Sequence, residues 1–160
     1  MNFENDTVEV KGLEQLLKAL KAKAPSCRVG VLGGKNVREK EGNGSSQPTN
    51  AEVGAAHEFG TSTIPQRSFL RVPIADHLSK EMEESGALDE DTMKAVVREG
   101  TVKPWLQKTA ILAEGIVAKA FESGGFGKWP AWKNKNYTNN TGQLLIDTQQ
   151  LRNSVTSEVK

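Results

Sequence analysis

The chain has 160 residues, enough for one domain and short for two full ones. A net charge of +1 gives no bulk-charge argument for a nucleic-acid partner, and a single cysteine excludes an intrachain disulfide and a cysteine-built metal centre. An apolar fraction of 36% beside 26% charged residues points to a modest core, or to a subunit that completes its burial in an oligomer.

Thr-Val-Glu-Val at 7–10 alternates as a short strand would. Leu13, Leu16, Leu17 and Leu20 then recur on one helical face, with Lys18, Lys21 and Lys23 on the other, and Pro25 ends the pattern. Cys27 to Leu32 reads as a strand that stops at Gly33-Gly34. Residues 33–49 lack apolar periodicity and are rich in glycine, serine and charge, so a long flexible loop is expected. Asn50 is a candidate N-cap for a helix over 51–58, with Glu52 in its first turn and Gly60 as its stop. Ile64-Pro65 and Val72-Pro73 imply extended backbone at both places.

Ile74, Leu78 and Met82 mark a helix ending near Ser85-Gly86. Asp89 caps a second helix carrying Met93, Val96 and Val97, which ends at Gly100. Pro104 opens a third, running to about Phe121, with an inner face of Trp105, Leu112, Ala113, Ile116, Val117 and Ala120. Residues 123–140 form a second expected flexible loop, and Ser154 to Val159 a last strand by alternation. The order implies one α+β domain over 1–160, a small mostly antiparallel sheet with helices packed on one face and long flexible loops. No leader pattern opens the chain and no apolar run nears the roughly 18 residues of a membrane span, so no membrane partner is expected and a reducing, intracellular setting is.

Enzyme motifs fail on spacing. Gly30 to Lys35 lacks the four-residue gap and the Ser/Thr of a phosphate loop, and Gly-x-Gly-x-x-Gly is absent. His57-Glu58 begins like a zinc-protease helix, but Thr61 stands where its second histidine belongs; a metal hydrolase would need His57 and His77 gathered by the fold. Cys27 reads as a buried small hydrophobe, and Asp89, Glu90 and Asp91 as the acidic start of a helix. No catalytic, cofactor or metal site is therefore expected.

Two charge features remain. Lys119, Lys128, Lys133 and Lys135 interleave with Phe121, Phe126, Trp129, Trp132 and Tyr137, a composition that could hold nucleic acid or fold back onto the core or a neighbour. Residues 76–99 carry eight acids against three bases, and 103–135 carry six lysines against two acids; on opposite sides of a subunit they would pair copies head to tail, and otherwise they are solvated helix faces.

Asn50-Ala-Glu-Val-Gly-Ala-Ala-His-Glu-Phe-Gly-Thr61, with Ile64-Pro-Gln-Arg-Ser-Phe-Leu-Arg71 after it, resembles the signature block of the tailed-bacteriophage tail-completion and virion-morphogenesis family, the minor tail protein Z-like, head–tail joining group. Leu144-Leu-Ile-Asp-Thr-Gln-Gln-Leu-Arg-Asn-Ser-Val-Thr156 is similar to that family's C-terminal element, and Arg28 to Leu32 sits where the family has a strand. Gln149 stands where the family usually has glycine, and the family often has proline near Ser68.

The resemblance implies an α+β subunit that forms a ring, hexameric or twelve-fold, in the virion neck after assembly in the host cytoplasm. Its partners would be the connector or adaptor and the tail terminator or tail tube, with passive contact to DNA in the channel, and with no catalysis and no cofactor. It marks His57, Glu58, Phe59, Arg67, Phe69, Arg71 and Arg152, together with Trp129 and Trp132 of the second loop, as motif or interface residues. Phe59 is expected to anchor in the core, and Arg67 and Arg71 to bridge carboxylates in bidentate fashion, Glu58 or a neighbour's.

Overall fold

Strand β1 (Cys27–Val31) and strand β2 (Val155–Val159) pair antiparallel although they lie near opposite ends of the chain, with Cys27 opposite Val159 and Val31 opposite Val155. In this computed structural model the described residues are 25–38, 48–131 and 149–160, with helical positions at 13, 14, 17, 18 and 21. The strand expected at 7–10 and the element at 144–146 lie outside them.

Between the strands come α1 (Asn50–Phe59), α2 (Arg71–Glu84), α3 (Glu90–Glu99) and α4 (Lys103–Ser123), and a short α5 (Gln150–Ser154) leads into β2. The fold is a small α+β domain with a two-stranded antiparallel sheet and several packed helices. The 21-residue α4 is its spine, packing against α2, α3 and both strands. Ala110, Ala113, Ile116, Val117, Ala120 and Phe121 form its buried stripe, spaced by three and four residues as a helix face requires. Phe69, Val117, Phe121 and Leu151 make the core, with Val31, Val53, Leu70, Ile74, Trp129 and Val155 packed around it.

Helix ends that depend on local chemistry form as the sequence predicts. The Asp89 side chain accepts the Thr92 N–H at 2.8 Å to start α3, and Gly100 takes the left-handed conformation that ends it. Three expectations are corrected. The cap of α1 is Thr49, in a reciprocal capping box with Glu52, while Asn50 is buried. Asn50 donates through Nδ2 to the carbonyls of Lys35 and Val37, and so fastens the start of the 33–49 loop, which opens with a single 3-10 turn over Gly33–Lys35. Residues 39–47 of that loop lie outside the described set. Val72-Pro73 is helical, because Pro73 falls in the first turn of α2, where an N–H has no intrahelical partner to lose. Finally, residues 124–131 form hydrogen-bonded turns, with Gly125 N–H on the Ala120 carbonyl and Trp129 N–H on that of Gly124.

Gln149 adopts φ 59° and ψ 0°, the left-handed region that favours glycine. A non-glycine residue there costs about 1 kcal/mol, partly offset in a glycine variant by the looser unfolded chain. Gln149→Gly is expected to leave stability unchanged or raise it by up to about 1 kcal/mol in urea unfolding. A clear loss would show that the Gln149 side chain holds the turn.

Candidate functional site

The inward stripe of α1 is polar. Asn50, Gly54 and Glu58 are buried along it, with Val53 and His57 half-buried beside them. Gly54 lets the core close on the helix: a Cβ there would meet Leu151 at 3.3 Å and Phe69 at 3.4 Å. After Phe59 the chain turns at Gly60, whose φ is 75° and where a Cβ would sit 3.0 Å from the Gln66 nitrogen. Residues 61–70 then form an arm that runs back past the helix. The Thr61 hydroxyl accepts the Ile64 N–H at 2.9 Å, and the His57 carbonyl accepts the Arg67 N–H at 2.7 Å.

Glu58 is the fastening. Its carboxylate accepts the Ser68 hydroxyl at 2.6 Å and the backbone N–H groups of Phe69, Leu70 and Arg71 at 2.9, 3.0 and 3.1 Å. The Arg71 guanidinium adds a contact through Nε at 3.2 Å. No side chain of the N-cap residue Leu70 caps α2, so Glu58 does this from another helix, placing a buried negative charge against the positive end of the helix dipole. The Ser68 oxygen accepts the Val72 N–H at 3.1 Å, and Pro73 has none. The amides from Phe69 to Val72 are thus all partnered, which is the accounting a buried helix start demands.

Arg67 reaches the opposite way. Fully buried, it donates Nε to the Pro130 carbonyl at 2.9 Å and NH2 to that of Ala131 at 3.1 Å. The Trp129 indole N–H donates to the Ser68 carbonyl at 3.0 Å, so the arm and the 124–131 turn hold each other at three points. Trp129 meets Phe121 edge-on at 5.8 Å, and Phe121 meets Phe69 at 5.2 Å.

The expected site residues therefore divide. Glu58, Arg67, Phe69, Arg71 and Trp129 come together around the arm. Arg71 meets Glu58 as expected, but through Nε, and among the described residues Arg67 grips the Pro130 and Ala131 carbonyls. Phe59 is 63% exposed, with the Arg71 guanidinium 4.9 Å from its ring centre, because burial of Glu58 turns the adjacent position about 100° away from the core. Arg152 lies apart and pairs with Glu122. Trp132, Lys133, Lys135 and Tyr137 lie outside the described residues. Ser68 was missed, although a serine just ahead of a helix start is a recognisable capping signal. Asn50, read as a cap, proved to be a loop clamp.

The segregated charges also meet within the chain. Lys119 of α4 pairs with Glu81 at 2.5 Å and Lys128 of the following turn with Asp76 at 2.8 Å, so at these two places acid and base stand side by side within the chain. Lys128, Trp129, Phe121 and Phe126, which stacks on His77 at 3.9 Å, all have internal partners, which weakens the nucleic-acid alternative for this part of the segment. Among the described residues no three His, Cys, Asp or Glu side chains are grouped to hold a metal ion, and no helix is long and apolar enough to cross a membrane.

Burial, with the Arg67 charge as a second cause, pulls the pKa of His57 down to about 4. An unfolded chain takes up this proton near pH 6.5, so the stabilising contribution is complete above that pH and is lost as pH falls from there toward 4. The ring is partly open to solvent, so the loss between pH 7 and 5 should be about 1 kcal/mol, half of what full enclosure would give. Urea unfolding at both pH values should show this loss in the wild type and little of it in His57→Gln; equal losses would place the titration elsewhere.

Comparison with protein-family models, with curated proteins and with solved structures returned no match.

Proposed function

We propose that this chain is a structural subunit of a tailed-bacteriophage virion, forming a ring at the head–tail junction that completes the neck or tail and joins connector to tail. Its partners in that role are further copies of itself, the connector or adaptor, and the tail terminator or tail tube. The observation that carries the reading is the Glu58 fastening. The two halves of the resembling block, the His57-Glu58-Phe59-Gly60 helix end and the Arg67-to-Arg71 arm, are tied by one buried carboxylate. With its oxygens engaged by a hydroxyl, three amides and a guanidinium, Glu58 acts as a brace. A braced arm is what a subunit carrying load between neighbours needs, and the reading includes no catalytic step.

The test is the mass in solution at rising protein concentration, at low and at high salt, with electron micrographs of the same samples. A discrete multimer with a ring outline supports the reading. The pairs that join α2 to α4 and to the turn after it lie within the chain, and exposed ion pairs contribute little, so the multimer should persist in high salt. A 17.4 kDa monomer under every condition would remove a self-closing ring.

A further inference from the structure

Arg71 opens α2, and the space beside it is concave and apolar. A groove of about 220 Å3 lies there between α1 and the arm, with Phe69 at its floor, Phe59 at its rim and the small residues Ala51, Gly54 and Ala55 along one wall. Its free charge is positive. Glu58 is engaged by five donors, whereas the terminal nitrogens of Arg71 make no hydrogen bond among the described residues and its side chain is 57% exposed. The other end of α2 has the opposite character. Leu88 and Met93 are 51% and 37% exposed, at the two positions that flank a capped helix start and face one another across it. They form one apolar knob. Residues 83–94 surround it with five acids against Lys94, Lys108 adds one cation from α4, and Glu83 and Asp91 make no ion pair among the described residues.

We infer that the Leu88–Met93 knob of one copy seats in the Arg71 groove of a second copy, with the acids beside the knob against the Arg71 guanidinium. Two observations select that occupant. The first is charge. The other large apolar side chains exposed among the described residues lack an acidic surround. Leu13 and Leu17 share a helix with Glu14, Lys18 and Lys21, and Val37 lies between Lys35 and Arg38 in the chain. Ile111 stands in a groove lined by Glu114 and Arg152, and Val72 follows Arg71 itself. Leu88 and Met93 alone bring free carboxylates, Asp91 among them, to the open edge of a guanidinium. The second is distance. The 14 residues of α2 hold its ends about 20 Å apart. α4 repeats that span, with Phe121 against Phe69 at one end and Lys108 on the Gly86 carbonyl at the other. The chain thus carries both halves of a match that it cannot make with itself. Two different surfaces at opposite ends make a head-to-tail contact, which closes into a ring when the rotation permits. The apolar seat supplies the affinity and the charges fix the register, so the contact tolerates salt. The inference rests on the ring reading above and supplies its contact.

Site-directed cross-linking tests it. In a Cys27→Ser background, one variant carries Ala55→Cys and Leu88→Cys together and two others carry each alone; all are treated with a short bis-maleimide. The expected result is a ladder of cross-linked multimers from the double variant and none from the single ones. No ladder overturns the contact, as does a cross-link closed inside one chain. A dimer from either single variant also overturns it, because like surfaces would then be meeting. In parallel, Leu88→Lys and Ala55→Phe should each weaken self-association roughly tenfold or more, with far-ultraviolet circular dichroism unchanged because both side chains are exposed. If the wild type forms multimers that both variants preserve, this contact is wrong and the ring survives. If the wild type is monomeric throughout, both fall.

Discussion

Glu58→Ala should cost about 3–5 kcal/mol of folding stability, a large share of the roughly 5–15 kcal/mol a domain of this size holds. The substitution leaves the N–H groups of Phe69, Leu70 and Arg71 and the Ser68 hydroxyl without their acceptor at a buried helix start. Each orphaned buried donor carries a penalty of about 1–3 kcal/mol, softened where water can reach. Glu58→Gln isolates the charge. The amide keeps the shape and one oxygen, but presents its NH2 to donors that need an acceptor, and its cost should lie near 2–3 kcal/mol. Urea unfolding followed by circular dichroism gives both values. If Glu58→Ala lost less than about 1 kcal/mol, the carboxylate would not be the cap of α2.

Arg71→Ala at the same junction should cost far less. Its side chain is 57% exposed, and its contact with Glu58 adds to three backbone bonds that survive the change. The contrast between positions 58 and 71 separates the part of the motif that braces the arm from the part free to meet a neighbour. Phe59 belongs with the second part: it lies on the surface beneath the Arg71 guanidinium, so both are available to a partner of the kind proposed.

What could be read from the sequence follows how far each interaction reaches along the chain. The Asp89 cap, the Gly60 and Gly100 stops and the buried stripe of α4 depend on neighbours within one or two turns, and each was legible. Asn50 was misread because its partners, the Lys35 and Val37 carbonyls, lie across a glycine-rich loop without periodicity. Phe59 was misplaced because hydropathy assigns aromatics inward, whereas α1 turns a polar stripe to the core. That stripe is stable only because Glu58 finds five donors on another segment, a match visible only in three dimensions. Arg67 shows the same limit: two of its acceptors are backbone carbonyls more than sixty positions away, and a carbonyl has no sequence signature. Both halves of the resembling block meet at Glu58, but the partner of each residue there could not be read from the block itself.

Phe121→Ala should be as damaging as the loss of Glu58, for a different reason. Phe121 is 1% exposed at the C-terminal end of α4 and touches Phe69 of the arm and Trp129 of the turn. Truncation removes the transfer free energy of the ring and leaves a cavity, together about 3–5 kcal/mol, or a fall in Tm on the order of 6–20 °C. Phe121→Leu keeps most of the volume and should cost below about 1.5 kcal/mol. The two variants should also differ in the arm. With the ring gone, Phe69 and Trp129 lose the surface between them, and the Trp129 bond to the Ser68 carbonyl loses its packing support. Amide hydrogen exchange at Phe69 and Leu70 should then quicken in Phe121→Ala by more than its global loss of stability explains, and stay near wild type in Phe121→Leu. Exchange that follows global stability alone in both variants would mean that Glu58 holds the arm without help from the aromatic cluster.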